Sequence, residues 1–459
     1  MKNHVLAEPD NRQAMPKRDK AITLQFRKGV TLIEDLVRRD LTSFPNNHSK
    51  LVRINELLDA LMKRFIVLRV PTTSLSESLD IFLTLNNRGL PLGPSDLVRG
   101  QLMNILGQNK SEAEQAKLQR RILEEWQVIT ENVGDPEAFL RHYLVSTSKE
   151  KVQKKKVVSS VMELLRGDDL STKQGLAETF WSDLSDASTT YSQIINPSMG
   201  GETQCQIELL EGLLKSHRII LLSAMRSHID DLTKSELIPL VFVLSYKWIM
   251  AGKNAQKLED FFQSQCWILK SSSESNESLI YDAQEVINNF REAISNITVN
   301  PLLYFSNDAD SSFISRALLY YVNRSCTHGA NTMALDSKKL NIEHIAPQSD
   351  TDNWLDMVFD GDQSQYDDYE TVISSIGNLT LLDHGLNKQI QCKPFSEKKS
   401  HYKKSTMDVA RDLQEFERWD KATIQLRTRW LTEMFEILWT AERTKLKVIR
   451  FSEWYQSKT

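Results

Sequence analysis

Cysteine is scarce in this chain and is never clustered. Cys205, Cys266, Cys326 and Cys392 lie far apart in the sequence, and no two of them form a Cys-x-x-Cys pair. A zinc knuckle requires closely spaced thiolates, and a small disulfide scaffold requires a high density of them. The sequence therefore gives no indication of either class, and a reducing cytoplasm fits this cysteine usage.

Long hydrophobic runs are missing as well. The best apolar run, from Ile238 to Met250, is too short to span a bilayer and contains Lys247. The first ten residues hold no apolar core of signal-peptide length. We therefore expect no export signal, no membrane span and a cytoplasmic location.

Glycine and proline are few, at 16 and 12 among 459 residues, which argues against a fibrous or collagen-like protein. Hydrophobic residues make up 40% and charged residues 26%, as in an ordinary globular protein that favours helices. The chain is long for one hydrophobic core. We divide it into a disordered start (1–20), a partial N-terminal domain (21–110), a helical middle (111–330), a C-terminal domain (331–445) and a tail (446–459).

Charge is unevenly distributed behind a formal net charge of −4. Residues 341–385 contain ten acidic residues and no Lys or Arg, whereas residues 386–459 contain sixteen basic and ten acidic residues. Any surface that binds DNA must therefore be local.

Local patterns predict several helices. Pro94 suits a first helical position, and apolar residues then fall on one face. Ser111 and Glu114 have the spacing of a capping box that opens the next helix. The apolar stripes of these two helices are Val98, Leu102, Ile105 and Leu106, and Leu118, Ile122, Trp126 and Ile129.

After Lys339 the pattern changes. Leu340–Ile345 and Leu379–Leu382 read as short strands, separated by a long acidic loop, and a short helix is predicted to start between Asp383 and Asn387. The acidic stretch 350–370 would repel a phosphate backbone, so it either points away from a DNA groove, gates it, or is a solvated insertion. A long final helix is signalled by Ile424, Leu431, Phe435 and Leu438.

Three short motifs follow this order of elements. They are Glu343-His344-Ile-Ala-Pro347-Gln-Ser349, Gly377-Asn378-Leu-Thr-Leu-Leu382, and Asn387-Lys388. They resemble the motifs of the HNH, or ββα-metal, nucleases, including the HNH domain of CRISPR effector nucleases. The resemblance implies that His344 is the general base, Asn378 braces the hairpin, Asn387 is a metal ligand on the helix, and Glu343 is a second ligand. Oxygen ligands with retained waters favour Mg²⁺ or Mn²⁺.

Other interpretations stay open for each residue. A histidine before an x-Pro turn is often structural, and asparagine is common in turns and helix caps. His384, three residues before Asn387, is a further candidate metal ligand, although a solvent-exposed histidine there is ordinary. Because adjacent strand residues point to opposite faces, Glu343 and His344 share a site only if the strand ends or bulges between them.

A basic segment with interleaved aromatic residues follows the motifs. Such a segment suits a phosphate-contacting surface, but it equally suits a solvated helix face. The candidate nucleic-acid contacts are Lys388, Lys393, Lys398, Lys399 and Lys403.

The stretch from Asn341 to Trp439 resembles the C-terminal domain of GmrSD restriction endonucleases, a type IV, modification-dependent family. Besides the motifs above, the markers in order are Phe395, Lys398, Tyr402, Ser405, Trp419, Ile424, Arg427, Leu431 and Trp439. Ile81–Arg99 resembles the later part of that family's N-terminal domain. The nucleotide-hydrolysing motif of that domain, Asp-Gly-Gln-Gln-Arg, is absent here, as is a Walker A loop. We therefore expect a truncated N-terminal domain and no nucleotide cofactor for this chain alone. Three explanations stay open: the protein lost its nucleotide-hydrolysing half, a separate polypeptide supplies it, or the start of the sequence is misassigned.

These observations predict a mainly helical (α+β) protein with a small C-terminal ββα-metal motif. The expected function is metal-dependent DNA endonuclease activity in restriction of foreign or modified DNA, such as phage DNA. Two alternatives remain: an inactive or partner-dependent DNA-binding or regulatory remnant of such a system, and an HNH nuclease that acts on RNA.

Overall fold

The computed structural model describes residues 17–64, 93–149, 152–198, 200–271, 276–306, 313–326, 339–349, 352–440 and 448–458. Within these ranges the protein is mainly helical and contains a single two-stranded antiparallel sheet, as the sequence predicted. The chain divides into two compact units, residues 1–74 and 75–459. No helix in the described ranges combines the length and apolarity needed to cross a membrane.

The first unit contains helices α1 (Lys17–Thr42) and α2 (Asn47–Arg64). Arg53 on α2 pairs with Asp40 on α1, with 2.7 Å between Nε and Oδ2. No residue of α2 is buried. Residues 65–92, which include most of the Ile81–Arg99 segment that resembles the family's N-terminal domain, lie outside the described residues.

The second unit begins with a helical region. Its helices are α3 (Pro94–Gly107), α4 (Glu112–Val133), α5 (Pro136–Thr147), α6 (Val157–Leu164), α7 (Leu170–Ile195), α8 (Gly201–Leu213), α9 (His217–Arg226), α10 (Asp231–Met250), α11 (Ala255–Ser271), α12 (Asn276–Ser295), α13 (Pro301–Ser306) and α14 (Phe313–Cys326). The predicted starts of α3 and α4 are confirmed: Pro94 opens α3, and Ser111 and Glu114 form a reciprocal capping box. The predicted stripe of α4 is buried, since Ile122 and Ile129 have no exposed surface.

The C-terminal elements are β1 (Leu340–His344), α15 (Asp352–Phe359), α16 (Tyr369–Ile373), β2 (Leu379–Asp383), α17 (His384–Ile390), α18 (Phe395–Tyr402), α19 (Asp408–Arg411), α20 (Lys421–Leu438) and α21 (Phe451–Lys458). Both predicted strands, the short helix after Asp383 and the long helix α20 are confirmed. The strands pair one to one, from Leu340 opposite Asp383 to His344 opposite Leu379.

The acidic stretch between the strands is not the long loop that the sequence predicted. It forms α15, a 3₁₀ turn (Gln363–Asp368) and α16. Trp354 and Val358, four residues apart, are buried on one face of α15, and apolar residues at that spacing form a helix with a docked side. Asp356, between these two residues in the sequence, is exposed, and acidic residues of this kind hid the apolar spacing.

A second layer of the domain lies behind the hairpin. Helix α20 packs against a 3₁₀ turn, Ile376–Asn378, that leads directly into β2. The contact is so close that a Cβ atom on Gly377 would collide with the carbonyl of Ile424 and with Thr428. Glycine is therefore required at position 377, and this contact fixes where β2 begins.

Candidate active site

His344 is the last residue of β1, and its side chain is half-buried. The ladder continues one step beyond it, because the amide of Ile345 donates to the carbonyl of Asn378 at 2.9 Å. The strand therefore holds His344 in a defined place and leaves its imidazole partly accessible to solvent. A general base requires this combination, because it must be fixed yet reach water.

The structure does not bring Glu343, the predicted metal ligand, to the side of the sheet that carries the imidazole of His344. The register runs through both residues without a bulge, so their side chains point to opposite faces of the sheet. Glu343 is 6% exposed, and its Oε1 lies 2.6 Å from the Nζ of Lys398. The carboxylate is thus already paired, on the side away from the imidazole.

Lys398 was predicted to contact nucleic acid, and this prediction is wrong because its side chain has no exposed surface. Its ammonium donates to Glu343 and, at 3.0 Å, to the carbonyl of His344. Burial raises the pKa of Glu343 and lowers the pKa of Lys398, because desolvation disfavours both charges, while each partner opposes the shift of the other. A lysine in this position acts on protein atoms and not on phosphate.

Asn378 braces the turn that follows β1. Its Oδ1 accepts from the amide of Ala346 at 2.8 Å, and its Nδ2 donates to the carbonyl of Ala346 at 2.8 Å, as a neighbouring strand would. The same amide also donates to the carbonyl of Ile373 and accepts from the indole of Trp419. Asn378 is completely buried and fully hydrogen-bonded, so it positions the backbone and cannot touch a substrate.

Arg427 on α20 holds the start of β2 from behind. Its Nη1 donates to the carbonyls of Gly377 and Leu379 at 2.7 and 2.6 Å. Burial lowers the pKa of this guanidinium to about 10, partly offset by Asp412 and Tyr402. The arginine therefore remains a cation at neutral pH, and it donates its hydrogen bonds to two backbone carbonyls.

Asn387 and His384 both lie on α17, which packs on both strands. The Nδ2 atom of Asn387 lies 3.4 Å from the carbonyl of Ile342, two residues before His344. His384 Nδ1 lies 2.8 Å from Asn341 Nδ2. The structure thus brings Asn387 and His384 to β1, where the resemblance expects the helix of the site.

The predicted metal ligands do not form a complete set. Hard cations such as Mg²⁺ prefer oxygen ligands, chiefly carboxylates and water. Asn387 offers an amide oxygen, whereas the carboxylate that the resemblance implies, Glu343, is buried against a lysine. Across the part of the chain that the structure describes, no group of three or more His, Cys, Asp or Glu side chains is arranged to hold a metal. As they lie in this structure, the predicted ligands Glu343 and Asn387 therefore do not fit a hard divalent cation.

The remaining candidate DNA contacts are accessible. Lys388 and Lys403 are exposed, and Lys393 and Lys399 are half-buried. The segment after Lys403 is tied to the end of β2, because Asp383 accepts from the hydroxyl of Ser405 at 2.7 Å and from the amide and hydroxyl of Thr406. Although burial alone would raise the pKa of Asp383, these hydrogen bonds hold it below its ordinary value.

Sequence reasoning missed the positioning roles of Lys398, Arg427 and Trp419. Each is one of the markers that carried the family resemblance, and each is buried behind the hairpin. In the sequence they appear as polar or aromatic residues in the order of markers on which the family resemblance depends. What the sequence lacked was the packing of α18 and α20 that turns them inward.

Comparison with known proteins finds a family match in the segment that contains the hairpin and α17. Residues 302–434 match the family described as GmrSD restriction endonucleases, C-terminal domain. A comparison with curated proteins gives no significant match. The match begins before α14 and ends within α20, so it includes both strands, helix α17 and the layer that holds them. Residues 302–434 of this chain are therefore similar to the C-terminal domain of GmrSD restriction endonucleases.

Proposed function

We propose that the C-terminal region is a DNA endonuclease of the HNH type and that His344 is its general base. One observation carries this proposal: His344 lies at the end of a hairpin strand clamped by Asn378, and α17 follows the second strand directly. The family match supports phosphodiester hydrolysis as the reaction class.

In the proposed reaction, the imidazole of His344 removes a proton from water, and that water attacks phosphorus in line with the leaving 3′ oxygen. The exposed lysines Lys388 and Lys403 offset charge on the DNA backbone. The family resemblance implies a divalent ion such as Mg²⁺ or Mn²⁺.

The proposed biological role is restriction of foreign or modified DNA, including phage DNA, in the cytoplasm. A separate polypeptide that supplies nucleotide hydrolysis is part of this proposal. The family match supports the restriction role, and the recognised modification is to be found with a panel of modified substrates.

Plasmid nicking with divalent metal tests the activity. We expect His344→Ala to abolish nicking while it leaves the folded state intact, since the side chain is only half-buried. His228→Ala, which alters an exposed histidine in the helical middle, is the matched control and should cleave like the wild type. Equal cleavage by His344→Ala and the wild type would contradict the proposal.

A second candidate is a DNA-binding or regulatory protein without turnover. The pairing of Glu343 with Lys398 favours it, because this pairing removes the predicted acidic ligand. A binding measurement beside the nicking assay separates the two candidates. DNA binding that His344→Ala leaves unchanged, with no cleavage in any divalent ion, would favour the binding or regulatory protein. An RNA substrate in the same panel tests the alternative of an HNH nuclease that acts on RNA.

A further inference from the structure

The buried lysine Lys398 lies directly behind the strand end that carries His344. Its ammonium contacts the Glu343 carboxylate and the His344 carbonyl, and it lies 5.6 Å from the ring centroid of Trp354. The side chain has no exposed surface. Any effect of Lys398 on the site must therefore pass through Glu343 and the backbone of His344.

Glu343 is buried on the same side of the sheet as Lys398. Thr380 is its partner across the ladder, so both side chains share one face of the sheet. The hydroxyl of Thr380 is buried without a hydrogen-bond partner among the described residues, and the hydroxyl of Tyr402 is buried beside the carboxylate of Glu343. A hydrated cation needs room for its waters. A carboxylate that is 6% exposed and paired with an ammonium does not provide that room.

We propose that Lys398 and Glu343 form a buried ion pair that positions His344, and that Glu343 is not a metal ligand. This inference rests on the proposed nuclease function of His344. Lys398 holds the carbonyl of His344, and Asn378 holds both polar backbone groups of Ala346, two residues later. These two anchors fix the backbone on the C-terminal side of the imidazole.

Steady-state kinetics of Lys398→Met distinguish positioning from phosphate contact. A displaced base lowers kcat by roughly 10- to 100-fold, the usual effect of removing a residue that orients a catalytic group. The KM for DNA should hardly change, because the lysine is buried. A raised KM with unchanged kcat would overturn the proposal. Glu211→Gln, in the helical middle, is the control for general destabilisation, and its folded fraction should cleave like the wild type.

The double variant Glu343→Leu/Lys398→Met separates positioning from mere stability. Each single substitution leaves a buried group without its partner, whereas the double variant replaces the pair with apolar side chains, which usually restores stability. We expect the double variant to regain its unfolding midpoint while kcat stays low, because the His344 carbonyl is still unheld. Recovery of both quantities would show a purely structural role and would overturn the proposal.

Direct Mn²⁺ binding, followed by electron paramagnetic resonance, tests the claim about Glu343 without using activity. The wild type and Glu343→Gln should bind Mn²⁺ equally. At least tenfold weaker binding by Glu343→Gln, with unchanged binding by Lys398→Met, would make Glu343 a ligand and overturn the proposal.

The same experiments tell the two proposals apart when one of them fails. If His344→Ala cleaves like the wild type, the proposed nuclease function fails. If His344→Ala is inactive but Lys398→Met keeps its full kcat, only the positioning inference fails.

Discussion

Two polar clusters in the second unit, one largely buried and one fully buried, contain similar residue types but hold different parts of the fold. The middle cluster joins four helices through side chains: Arg218 bonds Glu211 and Tyr191, His217 bonds Glu211, and His142 bonds Tyr191. Burial lowers the pKa of His142 to about 3, so this ring stays neutral. Apart from one bond from His217 to the carbonyl of Leu214, these contacts end on other side chains.

The hairpin cluster comprises Glu343, Asn378, Lys398, Tyr402 and Arg427. Its cations and its amide end mostly on backbone groups, namely the carbonyls of the strands and of the turn after β1. The middle cluster thus fixes how helices pack against each other. The hairpin cluster fixes the course of one short backbone segment on which His344 lies. Substitutions in the middle cluster should therefore affect stability alone, whereas substitutions in the hairpin cluster should affect both stability and activity.

The largest expected effect is that of Asn378→Asp, which alters the amide of the hairpin cluster. The change removes both donations by Nδ2 and places a buried charge against the carbonyls of Ala346 and Ile373. We expect a loss of roughly 3–5 kcal/mol in the free energy of unfolding, typical of an uncompensated buried charge. Cleavage by the remaining folded protein should also fall. Urea denaturation and nicking assays measure the two effects, and wild-type activity of the folded fraction would contradict the bracing role.

Gly377→Ala should have the next largest effect. The added methyl group collides with the backbone of α20, so the turn before β2 must shift at a cost of about 2–3 kcal/mol. Gly385→Ala is the matched control: nothing lies within 4 Å of its added Cβ, and it should be neutral or slightly stabilising. Equal unfolding midpoints for the two variants would show that α20 does not hold the hairpin closely.

Glu211→Gln tests the middle cluster. The loss of the anion beside Arg218 and His217 should cost about 1–3 kcal/mol of stability, with no change in the kcat of folded protein. Although burial alone would raise the pKa of Glu211, the hydrogen bonds from Arg218 and His217 hold it below its ordinary value of 4.5. The group therefore adds stability above that value and loses its contribution as the pH falls below it. Thermal unfolding between pH 6 and pH 3 should accordingly decline less steeply for the variant than for the wild type.

The smallest effect is expected at the exposed lysines. Lys388→Met and Lys403→Met should leave stability unchanged and weaken DNA binding, with the slope of log K against log salt reduced by about one for each lysine. An unchanged slope would remove that lysine from the binding surface. The contrast with Lys398→Met, which should change kcat and not KM, separates surface lysines from the hairpin cluster.

Much of the C-terminal fold could be predicted because its signals are local. The apolar runs at Leu340 and Leu379 indicated the strands, and the capping residues indicated where helices begin. Strand alternation alone also raised the difficulty with Glu343, which the register confirms. The acidic insertion was misread because its charges dominate its composition, although Trp354 and Val358 already had helical spacing.

The burial of Lys398 could not be predicted in this way. Lysine is rarely buried, and in a segment rich in lysine nothing local distinguishes residue 398 from Lys399 or Lys403. Its environment arises when α18 docks behind the hairpin and turns one face of the helix toward Glu343. The nearby carboxylate comes from a residue far away in the sequence, so only the tertiary structure brings the pair together.

The most direct measurement is cleavage by His344→Gly with and without added imidazole. The central claim is that His344 acts as a general base at the end of a fixed strand. It predicts that the variant is inactive and that imidazole, which can enter the partly open position, restores cleavage in proportion to its unprotonated form. Cleavage at the wild-type rate without imidazole would contradict the claim.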